Sequence, residues 1–227
     1  MSRRREPTEK AVKLVDQSGR PLGPRARETR RRLLDATAAL LDERPVREVS
    51  VVEIARRAGT SPATFYQYFK DVEEATLDLA AEAAEEVPAV LEQLGADWRG
   101  ARGLDSARAL VDAFVRHWDG HHAVLLFRNV MAEQGDRRFR RIRIKAIHPL
   151  IEALAGKIEE SHDGGRTLDG MHPYAAAAAL ASILERLAAY HQELEYFGVR
   201  REDLVETCGR ILHQTVTGQV ATGKGGA

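Results

Sequence analysis

The stretch 50–69, SVVEIARRAGTSPATFYQYF, leaves few options other than two short helices joined by a glycine turn. Ser50 and Glu53 have capping-box spacing, and Val49 and Ile54 stand where a hydrophobic staple fixes the entry angle of the chain. Val51, Ile54, Ala55 and Ala58 then give one apolar stripe over about two turns. Gly59 sits where a helix leaves through a left-handed residue, a conformation open to glycine without steric cost. Ser61 is placed to N-cap the next helix, and Pro62 suits its first position, where no N–H is needed. A tight corner between two such helices is the helix-turn-helix geometry that lays a second helix in the major groove of DNA.

The residue types on the second helix fit that reading. Phe65 and Phe69, four apart, share a face and should anchor it to the helices before it. Thr64, Tyr66, Gln67 and Tyr68 are then left toward solvent. Gln67 suits a bidentate contact to adenine, the Thr64 methyl suits thymine, and the tyrosine hydroxyls suit phosphates. No arginine lies on this helix, so guanine readout has to come from elsewhere. Upstream, a helix over about 25–43 turns Leu33, Thr37, Leu40 and Leu41 to the core. Arg27, Arg30 and Arg31 fall on its early turns, within expected reach of phosphates.

The Ile54-Ala55 pair, Ala58-Gly59, Ser61, Thr64, Tyr66 and Phe69, behind an amphipathic first helix, make residues 25–75 resemble the DNA-binding domain of the tetracycline-repressor family of bacterial transcription regulators. Ala63 stands where that family often has glycine. Val72 stands near where it usually has a lysine, with Lys70 close by. By this resemblance Tyr66 contacts the DNA backbone, flanked by Thr60, Ser61 and Lys70, and the DNA-facing set also takes in Ser50, Pro62 and Ala63. The resemblance implies an all-α fold in which a three-helix helix-turn-helix domain precedes a helical bundle that binds a small molecule and dimerises.

Composition agrees with an all-helical chain: 44% of its 227 residues are hydrophobic and 6% aromatic, with no segment that reads as a strand. Charge is divided rather than absent. Residues 1–70 hold 16 Lys/Arg against 9 Asp/Glu, whereas 71–227 hold 18 against 25, so only the front is suited to a polyanion. The expected divisions are a disordered basic arm at 1–24, a DNA-binding domain at 25–70, a ligand-binding and dimerisation domain at 71–221 and a flexible tail at 222–227. Arg3, Arg4, Arg5, Lys10, Lys13 and Arg20 make the arm either a solvated tail or a salt-sensitive wrap around the duplex. A single cysteine, Cys208, fits a reducing compartment, and no secretory leader or membrane span is apparent, so a soluble cytoplasmic protein is expected.

Asp71 should cap a long acidic helix to about residue 94, and Gly95 to Gly103 reads as a loop. Helices are expected near 105–118, 122–134, 136–161, 172–196 and 201–218. Within them, His117, Asp119, His121 and His122 invite a metal reading. Gly120 interrupts the helix there and no further ligand lies at a fixed spacing, so no metal site or cofactor is expected. The family resemblance implies an effector pocket instead. Phe114, Trp118, Phe127, Met131 and Tyr190 are available to line it, and His117, Asn129, His148 and His191 to orient a ligand, with an apolar or aromatic effector expected. Segment 136–145, DRRFRRIRIK, is either a solvated basic face or an electrostatic latch onto the acidic helix. The apolar faces of the last two helices, including Leu180, Leu184, Leu187, Leu204, Cys208, Ile211 and Leu212, are expected to build a two-fold dimer interface.

The expected function is therefore an effector-responsive, DNA-binding transcription regulator, in all expectation a repressor that binds a palindromic operator as a homodimer. A constitutive architectural DNA binder is the first alternative, and a histidine-rich metal-dependent enzyme the second. Nucleophile–base pairs, phosphate-binding glycine loops and paired catalytic carboxylates are not found in the sequence, which argues against an enzyme.

Overall fold

A computed structural model describes residues 15–98, 100–163 and 170–218. The chain forms two compact units, Met1–Asp78 and Leu79–Ala227. The first is built on α1 (Pro24–Glu43), α2 (Val51–Arg57) and α3 (Pro62–Tyr68), which pack pairwise. The capping box at Ser50 forms as the spacing requires: its hydroxyl accepts from the Glu53 N–H and the Glu53 carboxylate accepts from the Ser50 N–H. Gly59 takes φ +65°, which a side chain would strain, and Ser61 caps α3 by accepting from the Thr64 N–H at 3.2 Å. Leu33, Leu34, Ile54, Phe65 and Phe69 are fully buried, and the buried Thr37 hydroxyl is satisfied by the Leu33 carbonyl at 2.8 Å.

Residues 15–23 depart from the expected disordered arm. The Asp16 carboxylate accepts from the Ser18 N–H and hydroxyl and from the Arg20 N–H and Nε at 2.6–3.0 Å, closing a tight turn through Gly19. Gln17 then donates its N–H to the Gln67 carbonyl at 3.0 Å and its amide to the Tyr68 carbonyl at 3.1 Å. Leu22 is buried. The stretch thus builds a turn docked on the end of α3. The rest of the arm, 1–14, and the tail lie outside the described residues.

Helix α4 (Val72–Val90) runs on from the first unit into the second, capped by Asp71, which accepts from the Glu74 N–H at 2.8 Å. It ends in a 3₁₀ turn at Leu91–Gly95, short of the predicted helical end at 94. The second unit comprises the later part of α4 with α5 (Gly100–Glu133), α6 (Arg137–Asp163), α7 (Pro173–Glu195) and α8 (Arg201–Thr217). The two helices predicted at 105–118 and 122–134 are one element, kinked at His121 (φ −137°, ψ 22°), next to the glycine expected to break it. Leu110, Trp118, Leu125, Leu150, Leu154, Ile158, Leu180, Leu184, Leu204 and Leu212 form the shared core. Gly209 permits the close approach of α8 to α5: a Cβ there would fall 2.8 Å from Arg108 Cγ and 3.2 Å from Arg108 Cα. Arg108 and Glu206 lock the same seam with two bonds of 2.6 and 2.9 Å. Among the described residues no helix is long and apolar enough to cross a membrane.

The α2 cap gives a direct test. Ser50→Ala should lower unfolding free energy by about 1 kcal/mol in urea denaturation. The Ser50 hydroxyl, followed by Arg44, draws the Glu53 carboxyl from 4.5 to about 2. A depressed folded-state value means that this contribution is present above about pH 4.5 and is lost as pH falls toward 2. Ser50→Ala should flatten that acid limb.

Candidate nucleic-acid interface and effector site

Burial of Phe65 and Phe69, whose rings lie 5.4 Å apart, decides which face of α3 is free. Tyr66 is 54% exposed, and Gln67, Pro62, Ala63, Ser61 and Lys70 are exposed with it, while Thr60, Thr64 and Tyr68 are half-buried. Two hydroxyls of the expected DNA-facing set already serve the fold. Ser50 donates to Glu53 at 2.7 Å, and Thr64 Oγ1 lies 3.0 Å from Ser61 Oγ at the start of α3.

The arginines of α1 are not the uniform phosphate row expected of them. Arg30 is bound to Asp78, sits 5.2 Å from the Phe69 ring centroid and has a side chain only 13% exposed. It is a strut between α1, the end of α3 and α4. Arg31 pairs with Asp35 at 2.8 Å on the surface, and Arg27 is exposed while donating from Nε to the Leu22 carbonyl at 3.0 Å. Arg32, which sequence reasoning passed over, reaches the Ala58 carbonyl at 3.2 Å beside the glycine turn. Its partner lies 26 residues away, so no local pattern signals it.

In the second unit the predicted pocket residues do not converge. Phe114 and Trp118 are core side chains, and Phe127 stacks edge-on against Phe139 at 5.5 Å. His148 is exposed, 3.5 Å from Glu152, and Met131 is half-buried. His191 is buried, 3.3 Å from Asp119 with its Nδ1 against the Ala188 carbonyl. Asn129 and Tyr190 do meet, in a cleft of about 250 Å³ between α5, α6 and α7 that Leu126, Val130, Arg143, Ser182, Glu185, Arg186 and Ala189 also line. Its floor is charged. Glu185 accepts from Arg128 at 3.2 Å, from Arg143 at 2.5 Å and from the Asn129 amide at 3.2 Å. Burial pulls the Arg128 guanidinium down to about 10 against the pull of Glu185, so it remains a cation at neutral pH. Arg186 lies 3.9 Å over the Tyr190 ring.

His117, expected to orient a ligand, instead meets Glu86 of α4 and His121. Its side chain is 6% exposed, and burial, with His121 adding to it, lowers its titration to about 4. The basic segment pairs within its own unit: Arg138 with Asp136, Arg143 with Glu185, and Lys145 with Glu85 on the later part of α4. Only the last is the kind of contact that a latch onto the acidic helix calls for.

Five of the residues expected at a subunit interface are consumed by the protomer's own core. Leu180, Leu184, Leu204, Cys208 and Leu212 are each at most 5% exposed, and Leu187 packs against the same cluster. The amphipathic pattern had identified the buried face but not its partner. Burial also pushes the Cys208 thiol up, as expected of a small core residue. Tyr174 and Ile183 on α7 and Ile211 on α8 are large apolar side chains left exposed.

The comparisons with known proteins follow this division. Residues 33–74 match the family described as bacterial regulatory proteins, tetR family, and residues 91–223 match the tetracyclin repressor-like C-terminal domain. Similar solved structures include the fatty acid degradation regulator FadR from Bacillus halodurans, 16% identical with a TM-score of 0.63 over 85% of this chain and 96% of that one. A tetR-family transcriptional regulator from Streptomyces coelicolor is 18% identical, with a TM-score of 0.64 over 84% and 80%. The transcriptional regulator FadR from Bacillus subtilis, solved with stearoyl-CoA, is 18% identical, with a TM-score of 0.60 over 83% and 98%. At these identities the likeness is one of fold.

The strut role of Arg30 is separable from a DNA contact. Arg30→Ala should cost roughly 1.5–3 kcal/mol in chemical denaturation, the range for hydrogen bonds to charged groups. The slope of log affinity for DNA against log salt should stay unchanged, whereas loss of a phosphate contact would reduce it by about 1.

Proposed function

This chain belongs to the tetR family of bacterial regulatory proteins, and from that premise we propose that it is a cytoplasmic, homodimeric repressor that a small molecule releases from a palindromic operator. The observation that carries the reading is the outward face of α3, where Tyr66 and Gln67 project from a helix pinned by Phe65 and Phe69. A helix held that rigidly presents Gln67 to an adenine edge and Tyr66 to a phosphate. Two protomers would read half-sites about one helical turn apart or more. The outward isoleucines Ile183 and Ile211 on α7 and α8 support a two-fold interface through those helices.

The cleft beside Asn129 and Tyr190 supports an effector site. Its volume lies just below the roughly 300–1,000 Å³ usual for small-molecule pockets, so it suits a compact ligand better than a long-chain thioester such as the one bound by the Bacillus subtilis FadR. Leu126, Val130, Ala189 and Tyr190 offer an apolar and aromatic wall, while Asn129 and Ser182 offer hydrogen bonds. An aromatic or apolar effector with one polar group fits that lining. A ligand that binds one of two conformations better would shift the equilibrium by that difference.

Fluorescence anisotropy with the DNA upstream of the protein's own gene tests the proposal. Wild-type protein should bind with two protomers per site, and Gln67→Ala should weaken binding by about 1–3 kcal/mol. Tyr66→Phe should weaken it while leaving the fold intact. Sequence-independent binding that ignores both substitutions would sink the operator reading. An aromatic-metabolite panel with no effect on affinity would favour a constitutive architectural binder.

A further inference from the structure

From the convergence of Glu86, His117 and His121, we propose a divalent transition-metal site of the zinc type at the junction of α4 and α5. The sequence offers His117 and His121, one helical turn apart on α5, with Asp119 and His122 beside them, and no further ligand at a fixed spacing. The fold supplies one from α4, more than thirty residues away. Glu86 Oε2 lies 2.8 Å from His121 Nε2 and 3.8 Å from His117 Nδ1, and the ligand atoms of all three groups fall within 4.8 Å of one another. A tetrahedral zinc ion with bonds of about 2.0–2.1 Å sets its donor atoms about 3.4 Å apart, so these spacings need only small rotations to close around an ion.

Hydrogen bonding alone accounts for part of the arrangement. It explains the His121–Glu86 contact, but 3.8 Å is too long for a bond from His117 to the same oxygen. Both imidazoles nevertheless come to one carboxylate, with their ring centroids 5.2 Å apart. The helix leaves α-helical geometry at His121 itself, one residue after Gly120. His117 is nearly enclosed while Glu86 and His121 are partly exposed, so a site here has a buried wall and an open side for entry and for a water as fourth ligand. Two imidazoles and one carboxylate favour zinc, cobalt, nickel or copper over magnesium or calcium, which take oxygen ligands. The site goes beyond the proposed effector cleft, with which it shares no lining residue.

The test is zinc binding to the full-length dialysed protein, measured by competition with a chromophoric chelator, and by cobalt absorption for coordination geometry. One zinc per protomer and a tetrahedral cobalt spectrum are expected. Glu86→Gln and His121→Gln, at partly exposed positions that should not disturb folding, should each weaken binding by at least tenfold, since even outer-shell changes cost about 10–100-fold. His148→Ala, at an exposed histidine outside the cluster, should leave affinity unchanged. No zinc bound at micromolar concentration, or binding that survives both substitutions, would overturn the proposal.

Discussion

Burial of two phenyl rings four residues apart governs the DNA-binding unit. Helix α3 has only seven residues, too few to persist in water on its own propensity. Phe65 and Phe69 are wholly buried, and a fully buried phenylalanine is worth about 1.5–3 kcal/mol, so tertiary packing holds the helix and fixes its rotation. That rotation alone sends Tyr66 and Gln67 outward. Both ends are then closed: at the start by the Ser61 side chain, and at the finish by Gln17, whose backbone N–H donates to the Gln67 carbonyl and whose side-chain amide donates to the Tyr68 carbonyl. Arg30 stacks on Phe69 while bonding to Asp78, so the ring that orients α3 also takes part in the contact to α4.

The second unit is ordered by a different balance. Its apolar faces meet inside the protomer, and the unusual feature is a carboxylate, Glu185, 8% exposed and shared by two arginines and an amide. Removing such charges from water is costly, and one carboxylate between two guanidiniums does not neutralise them. The network is therefore poor at simple stabilisation. It is well suited to holding polar groups rigidly at the edge of the cleft where Asn129 and Tyr190 meet.

What the sequence disclosed follows the range of each interaction. The capping box at Ser50, the turn at Gly59 and the phenylalanine pair all lie within a few residues, and each forms as the pattern requires. Partners far apart in sequence were hidden: Asp78 for Arg30, Glu185 for Arg143, and Glu86 for His121. The consequences were specific. Arg30 reads as a free cation until Asp78 is seen, and the histidine cluster lacks Glu86 until α4 is placed. On α7 and α8 the spacing of Leu180, Leu184, Leu204 and Leu212 correctly marks a buried face but carries no information on whether its cover is the same chain or another. Residues 15–23 are the opposite case: their partners are local, and with Asp16 as acceptor the stretch makes a turn where composition points to a disordered arm.

Among the described residues, helix α4 spans the boundary between the two units. Its later half is seated by Ala84 and Val87 against Ala146, with Ile142 beside them, and by Ala83 and Val90 in the main core. The accompanying polar contacts, the Glu85–Lys145 ion pair and the Glu86–His121 hydrogen bond, lie at the surface, where a pair is worth about 0–1 kcal/mol. Coupling between sites in regulatory proteins is typically 1–3 kcal/mol. Polar contacts of that size can be re-set by a ligand with a modest preference for one arrangement.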